Sequence, residues 1–297
     1  MSKTDTSSIF VWCLAILGTH YLVRVIIPDI LNDITKKEKF SNTTFSTQTK
    51  RSYSSQLMKR PATQDAVYLI NLEKRTDRLE HFEKAYNNCD IVADFKRISA
   101  VDGSKIVLEE ENLLTDKARS EIYDYLDKGY REKHYQLTKG GIGCYLSHIN
   151  VWEQILKDDV EIALIFEDDT TIPKDIQSKL DAKMKRAPPD WDIMLLGVMC
   201  HSCKELETRK GFHKVSRFWL THAYLIKKTA VEKIFKSGTL FPISQQIDSY
   251  LSEMSNKVNI YAIEPGLCSQ NTGFNTDIQA PVKYNKYIDS LERQPIS

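Results

Sequence analysis

No charge of one sign dominates this chain. Across 297 residues, 41 Lys and Arg stand against 40 Asp and Glu, for a formal net charge of +1. A binder that works mainly by neutralising phosphates needs a basic surplus, so the balance argues against a nucleic-acid partner. There are no heptads and no internal repeats, which sets aside coiled coils and solenoids. The six cysteines (Cys13, Cys89, Cys144, Cys200, Cys203 and Cys268) are too sparse for a disulfide scaffold, and no Cys/His ladder has zinc-finger spacing. Cys200 and Cys203 frame a lone CxxC, which reads as a free or locally bridged loop pair rather than a metal or redox site. Gly140, Gly141 and Gly143 open a helical stretch without the Lys-Ser/Thr ending of a P-loop. What remains is an ordinary globular composition, 41% hydrophobic and 27% charged, long enough for one large domain or two small ones.

The N-terminus differs from the rest. Ile9–Val23 holds no Asp, Glu, Lys or Arg; Arg24 interrupts, and Pro28 ends the apolar run. A spanning helix needs about 20 apolar residues, and Arg24 can snorkel to the interface to lengthen this one. The readings are a signal-anchor, a cleaved signal peptide or an amphipathic surface segment. The anchor is preferred because no small-residue cleavage site follows. The expectation is therefore a single-pass membrane anchor over residues 1–32. Arg24, Lys36, Lys37 and Lys39 outnumber Lys3 before the run, which by the positive-inside rule keeps the C-terminal side cytoplasmic. Residues 33–64, rich in Ser, Thr, Lys and Gln, read as a flexible stem that carries a sequon at Asn42. The folded part is expected from Asp65.

From there strand and helix patterns alternate, which predicts a layered α/β sheet. Strands are expected at Ala66–Asn71, Phe95–Ile98, Glu161–Glu167, Trp191–Gly197, Ala223–Ile226 and Val258–Ile263. Helices are expected at Arg75–Asn87, Leu113–Leu126, Gly140–Lys157, from Pro173 to about Arg186, at Thr229–Phe235 and at Ser244–Met254. The run Ile162–Phe166 is continuous and apolar, as in an interior strand. Glu167, Asp168 and Asp169 follow at once, where that strand leaves the sheet. Ligands of open α/β sheets bind beyond the carboxyl ends of the strands. Adjacent carboxylates repel unless a cation lies between them, so a divalent metal holding a phosphate is the simplest reading.

Several separated stretches resemble glycosyltransferase family 25, the lipopolysaccharide-biosynthesis and collagen-galactosyltransferase type. They are VYLINLEKRTDR at Val67–Arg78, GIGCYLSHINVWEQI at Gly141–Ile155, LIFEDDT at Leu164–Thr170, THAYLIKKTAVEKIF at Thr221–Phe235 and PISQQIDSYL at Pro242–Leu251. The tail adds EPGLCSQ with Asp277 and Ile278. One departure stands out: the family usually carries Glu where this chain has Gly141. The resemblance implies a GT-A-like, Rossmann-type mixed sheet flanked by helices over residues 65–297, a UDP-sugar donor, a divalent metal and inversion. The hexose would be galactose or glucose, and the acceptor a glycan, a lipid-linked oligosaccharide such as lipooligosaccharide, or hydroxylysine of a collagen-like protein. An anchored sugar-handling enzyme would be expected on the lumenal side, against the charge rule, so the side of the membrane stays open.

Chemistry assigns candidate roles within that frame. Mn²⁺ or Mg²⁺ prefers carboxylate, phosphate and water oxygens. Asp169 is the candidate direct ligand and Glu167 a water-mediated ligand or ribose contact, with Asp168 as a supporting acid near the donor. Arg75 and Arg78 suit diphosphate contact, or are solvated charges of a first helical turn. Asn71 suits a hydrogen bond to the base, or a cap of the next turn. Gly143 suits close backbone approach to an anion, and Ser147 and His148, a turn further on, would face the same cleft. Asp248 is the candidate base for the acceptor hydroxyl, with Asp192 and Glu264 behind it. Two other classes are weighed: a non-catalytic nucleotide-sugar or glycan-binding domain, for which Gly141 speaks, and a phosphate-ester hydrolase, which lacks a second set of ligands.

Overall fold

The computed structural model describes residues 63–278, apart from residue 134. The expected anchor, the sequon and the stem as far as residue 62 lie outside the described residues; the last two stem residues are instead part of the fold, Thr63 donating to Asp181 and the buried Gln64 pairing with Gln177. Among those described, no helix is long and apolar enough to cross a membrane.

The first strand, β1 (Ala66–Asn71), follows Asp65 directly, and its apolar run is buried. It is succeeded by α1 (Thr76–Asn87) and β2 (Phe95–Ser99), then a 3-10 turn at Gly103–Lys105 whose leading Asp102 accepts from the Ser104 amide. Helix α2 (Asp116–Lys128) begins later than expected because the Thr115 hydroxyl caps it, accepting from Ala118; Gly129, with φ of 74°, ends it. Helix α3 (Lys139–Asp158) is capped by Thr138, whose hydroxyl accepts from the Gly141 amide. There follow β3 (Ile162–Glu167), β4 (Thr170–Thr171), α4 (Ile176–Met184) and β5 (Ile193–Leu195). The chain then runs through β6 (Met199–Glu205), β7 (Phe212–Trp219), β8 (Ala223–Lys227), α5 (Lys228–Lys236), α6 (Ile247–Met254), β9 (Ile260–Ile263) and β10 (Ser269–Gln270).

Eight strands form one mixed sheet in the order β2-β1-β3-β8-β5-β9-β7-β6, while β10 pairs with β4 apart from it. Strand β1 is parallel to β2 and β3, and β8 runs antiparallel between β3 and β5. Alternating side chains give the sheet two buried faces. Leu69, Phe166, Ala223 and Met194 pack with Phe82 of α1 and Leu180 of α4. On the other face Tyr68, Ile165, Tyr224 and Leu195 lie side by side by register. Helix α3 covers that face, and its Trp152 indole donates to the Tyr224 hydroxyl at 3.0 Å.

The β6–β7 hairpin has no counterpart in the expectations. It forms one edge of the sheet, and β6, MCHSCKE, is largely exposed, so no apolar period marks it. Cys200 and Cys203 are bridged within this strand, across an irregular register.

One buried group works against the fold. Glu153 of α3 has a buried carboxylate oxygen without a partner, and burial pushes its pKa up to about 7. The folded state therefore binds the proton more tightly than the unfolded chain, and stability falls as pH rises from about 4.5 to about 7. Glu153→Gln is expected to remove this slope and to stabilise the protein by about 2–3 kcal/mol at pH 8, read as the melting temperature across pH.

Candidate functional site

Parallel pairing sets Ile70 opposite Glu167, so the carboxyl ends of β1 and β3 open side by side. The N-terminus of α3 approaches from the sheet face, and the residues before β8 from the neighbouring strand. Two cavities lie there, of about 110 and 230 Å³, and both are lined by Arg78, Cys144, Glu167, Asp277 and Ile278.

Three consecutive acids receive three different environments. Burial alone would raise the Glu167 pKa, but the His148 ring and the Thr221 hydroxyl, which donates at 2.8 Å, hold it below its usual value. Asp168 accepts from Asn71 at 2.7 Å and from Arg78 at 2.9 Å; burial nonetheless outweighs these partners and raises its pKa. Asp169 is pushed up to about 7, first by burial and then by the Glu167 charge. One of its oxygens takes Gln270 at 3.1 Å, while the other, Oδ1, is buried without a partner.

A chain of donors fixes His148, which is fully buried. The Trp152 indole can only donate, so the Tyr224 oxygen accepts from it. The Tyr224 hydroxyl then gives its own proton to His148 Nδ1 at 2.8 Å, which leaves Nε2–H facing Glu167 Oε1 at 3.2 Å. Thr221 and Tyr224 carry no role in the sequence reading. They lie in the quoted THAYLIKK stretch, but only the pairing of β8 with β3 brings them to Glu167.

The other expected residues divide. Asn71 lines the first cavity, with Oδ1 buried and unpartnered, and also donates to the Arg75 carbonyl at 3.1 Å, so it both faces the cleft and fixes the turn before α1. Ser147 lines the same cavity, but its hydroxyl is engaged: it donates to the Gly143 carbonyl and accepts from the Val101 amide at 2.8 Å. Gly143 lines neither cavity. A Cβ there would lie 2.6 Å from the Val101 carbonyl, so its role is to let the 101–103 loop pack on α3. Asp248, in the first turn of α6, lines the second cavity together with Glu167 and Asp169; burial raises its pKa against hydrogen bonds from Ser249 and Leu220. Asp192 instead pairs with Lys233 on the far side of β5, and Glu264 lines neither cavity.

Both arginines are engaged within the chain. Arg78 pairs with Asp168, and its other terminal nitrogen donates to the Asn275 carbonyl at 2.7 Å. Arg75 pairs with Asp77 and Asp277 and lines neither cavity. Phe274 sits on both guanidinium groups, 5.3 Å from Arg78 and 5.9 Å from Arg75. Residues 270–278 thus form a strap that starts at Asp169, crosses the arginines and ends where the Ile278 carbonyl meets the Thr138 hydroxyl.

A mixed α/β sheet with three acids at the carboxyl end of its strand β3 has the layout in which open-sheet proteins bind their ligands. Residues 64–250 match glycosyltransferase family 25 (LPS biosynthesis protein), and the chain belongs to that family. It is 27% identical to procollagen galactosyltransferase 1-B of Xenopus laevis over 224 residues, which cover 68% of this chain and 35% of the relative. It is also 27% identical to the inactive glycosyltransferase 25 family member 3 of Homo sapiens over 184 residues, 59% of this chain and 29% of the relative. The chain therefore spans about a third of the length of these relatives. Among solved structures, A197 from STIV superposes with a TM-score of 0.35 at 12% identity, covering 74% of this chain and 94% of that one.

Removing one partner of a buried ion pair costs about 3–5 kcal/mol. Arg78→Gln is accordingly expected to lower the melting temperature by at least about 6 °C. Arg75→Ala, whose Asp77 partner is largely exposed, should cost less than half of that.

Proposed function

We propose that this chain is a metal-dependent glycosyltransferase of GT-A-like architecture. It would move galactose or glucose from a UDP-sugar to an acceptor hydroxyl with inversion. The observation that carries this reading is the meeting of Glu167, Asp169 and Asp248 on one cavity at the strand ends. The relative's name, a procollagen galactosyltransferase, favours hydroxylysine of a collagen-like protein over a glycan or lipid-linked oligosaccharide as acceptor. Attachment to a membrane through residues 1–32 belongs to the same proposal.

The residues fit a divalent cation. Asp169 Oδ1 is a buried oxygen with no partner, and Glu167, held ionised, lines the same cavity. Mn²⁺ or Mg²⁺ bound there would neutralise the charge that develops on a departing diphosphate. Asn71 offers its free Oδ1 to the donor in the first cavity, and Ser147 holds the Val101 loop that walls it. Asp248 accepts the proton of the attacking hydroxyl; its raised pKa makes it a stronger base than a solvated carboxylate. Asp168, clamped by Asn71 and Arg78, positions the other two acids.

A second reading, a nucleotide-sugar-binding domain without catalysis, draws on Gly141. This glycine lines the Asp248 cavity where the family usually carries Glu, and a Cβ there would meet Leu137 first, at 3.2 Å, and then Thr138 and Gln246. The two readings separate on nucleotide release from a panel of sugar nucleotides, with and without Mn²⁺, in the presence of hydroxylysine peptides. Asp248→Asn is expected to lower the transfer rate by about 10²–10⁴-fold with nucleotide affinity retained. Asp169→Asn should abolish the metal dependence. Tight nucleotide binding with no turnover on any donor would favour the second reading.

A further inference from the structure

Cys144, His148 and Glu167 take no part as a set in the reaction just described. Cys144 and His148 are four residues apart on α3 and therefore share one face of the helix, and Glu167 ends the strand beneath them. The thiol sulfur, a ring nitrogen and a carboxylate oxygen all lie within 4.8 Å of one another. We propose that these three side chains form a site for a single borderline-soft divalent cation such as zinc, distinct in donor chemistry from the all-oxygen site of Glu167 and Asp169.

Four observations carry the assignment. A sulfur, an imidazole nitrogen and one carboxylate oxygen make a donor set that suits zinc and does not suit magnesium. The distance between His148 Nε2 and Glu167 Oε1 is 3.2 Å, close to the edge of about 3.3 Å expected between two ligands of a tetrahedral zinc with bonds near 2.0 Å. The ligands are already held from behind: Tyr224 fixes the His148 ring through Nδ1, and Thr221 fixes Glu167. Finally, all three side chains line the smaller cavity, which leaves room for a fourth ligand, and the larger cavity beside it is lined by four acids, Glu167, Asp169, Asp248 and Asp277, against Arg78 alone.

Binding balances with the loss of one proton. The cation replaces the proton on His148 Nε2, and that proton is taken up at Nδ1, which now donates a hydrogen bond to the Tyr224 oxygen; Tyr224 keeps its own hydroxyl proton, which turns away from the ring. The Cys144 thiol gives its proton to solvent. Because Glu167 serves both donor sets, zinc and the donor-side metal exclude one another. The binding itself does not depend on the transferase reading.

The test titrates the metal-stripped full chain with Co²⁺ and follows the thiolate-to-cobalt charge-transfer absorption. One equivalent should give the band, and one equivalent of Zn²⁺ should abolish it. Cys144→Ser should lose the band, and Glu167→Gln should weaken cobalt binding at least tenfold while the thiol remains. Tyr224→Phe should weaken it about 10–100-fold by freeing the ring. Melting temperatures within a few degrees of the unsubstituted protein establish that each variant is folded. No band in the unsubstituted protein, or a band that survives Cys144→Ser, overturns the proposal.

Discussion

The ion pair between Arg78 and Asp168 is the interaction on which the cleft depends. Three adjacent acids at the end of an interior strand repel one another, and burial raises the cost of ionising any of them. Arg78 answers the middle acid from α1 at 2.9 Å and reaches Asp169 at 3.4 Å, while Asn71 holds the other oxygen of Asp168. The same guanidinium carries the strap through Asn275 and Phe274. One side chain therefore joins the first helix, the acidic turn and the far end of the described chain.

Around that clamp the acids are driven apart in protonation. Glu167 is kept charged by His148 and Thr221, and Asp169 is pushed toward neutrality by burial and by Glu167 itself. Groups whose environments separate them in this way divide acid and base roles among chemically identical side chains. A cation beside Asp169 would reverse its tendency and draw it into the charged form, so metal occupancy and the charge of this acid are linked.

Much of the scaffold is legible in the sequence because burial and period coincide there. Ile162–Phe166 can only be interior, and α3 shows its broad apolar face through Tyr145, Ile149 and Trp152. The acidic turn is legible for the same reason, since its position follows from the strand before it. What escapes is whatever depends on a distant partner. The β6–β7 hairpin owes its existence to pairing at the sheet edge rather than to an apolar period. Gly143 looks like a ligand cradle in one dimension, yet the Val101 carbonyl occupies the space that its missing side chain leaves. Arg75 and Arg78 look like free phosphate ligands until Asp277, about 200 residues away, is folded against them. His148 gains defined partners only through Tyr224 of β8 and Thr221 just before that strand.

The strap bears on where this domain can be cut. The family match ends at residue 250, but the cleft does not: Gln270, Phe274 and Asp277 close its wall. A chimera spliced at the family boundary would leave both β9, which sits between β5 and β7, and the strap with the other parent. The arginine pair of one parent would then face a tail shaped for another. Modularity in this fold therefore requires the strap and the helix that carries the arginines to travel together, although they stand at opposite ends of the described chain.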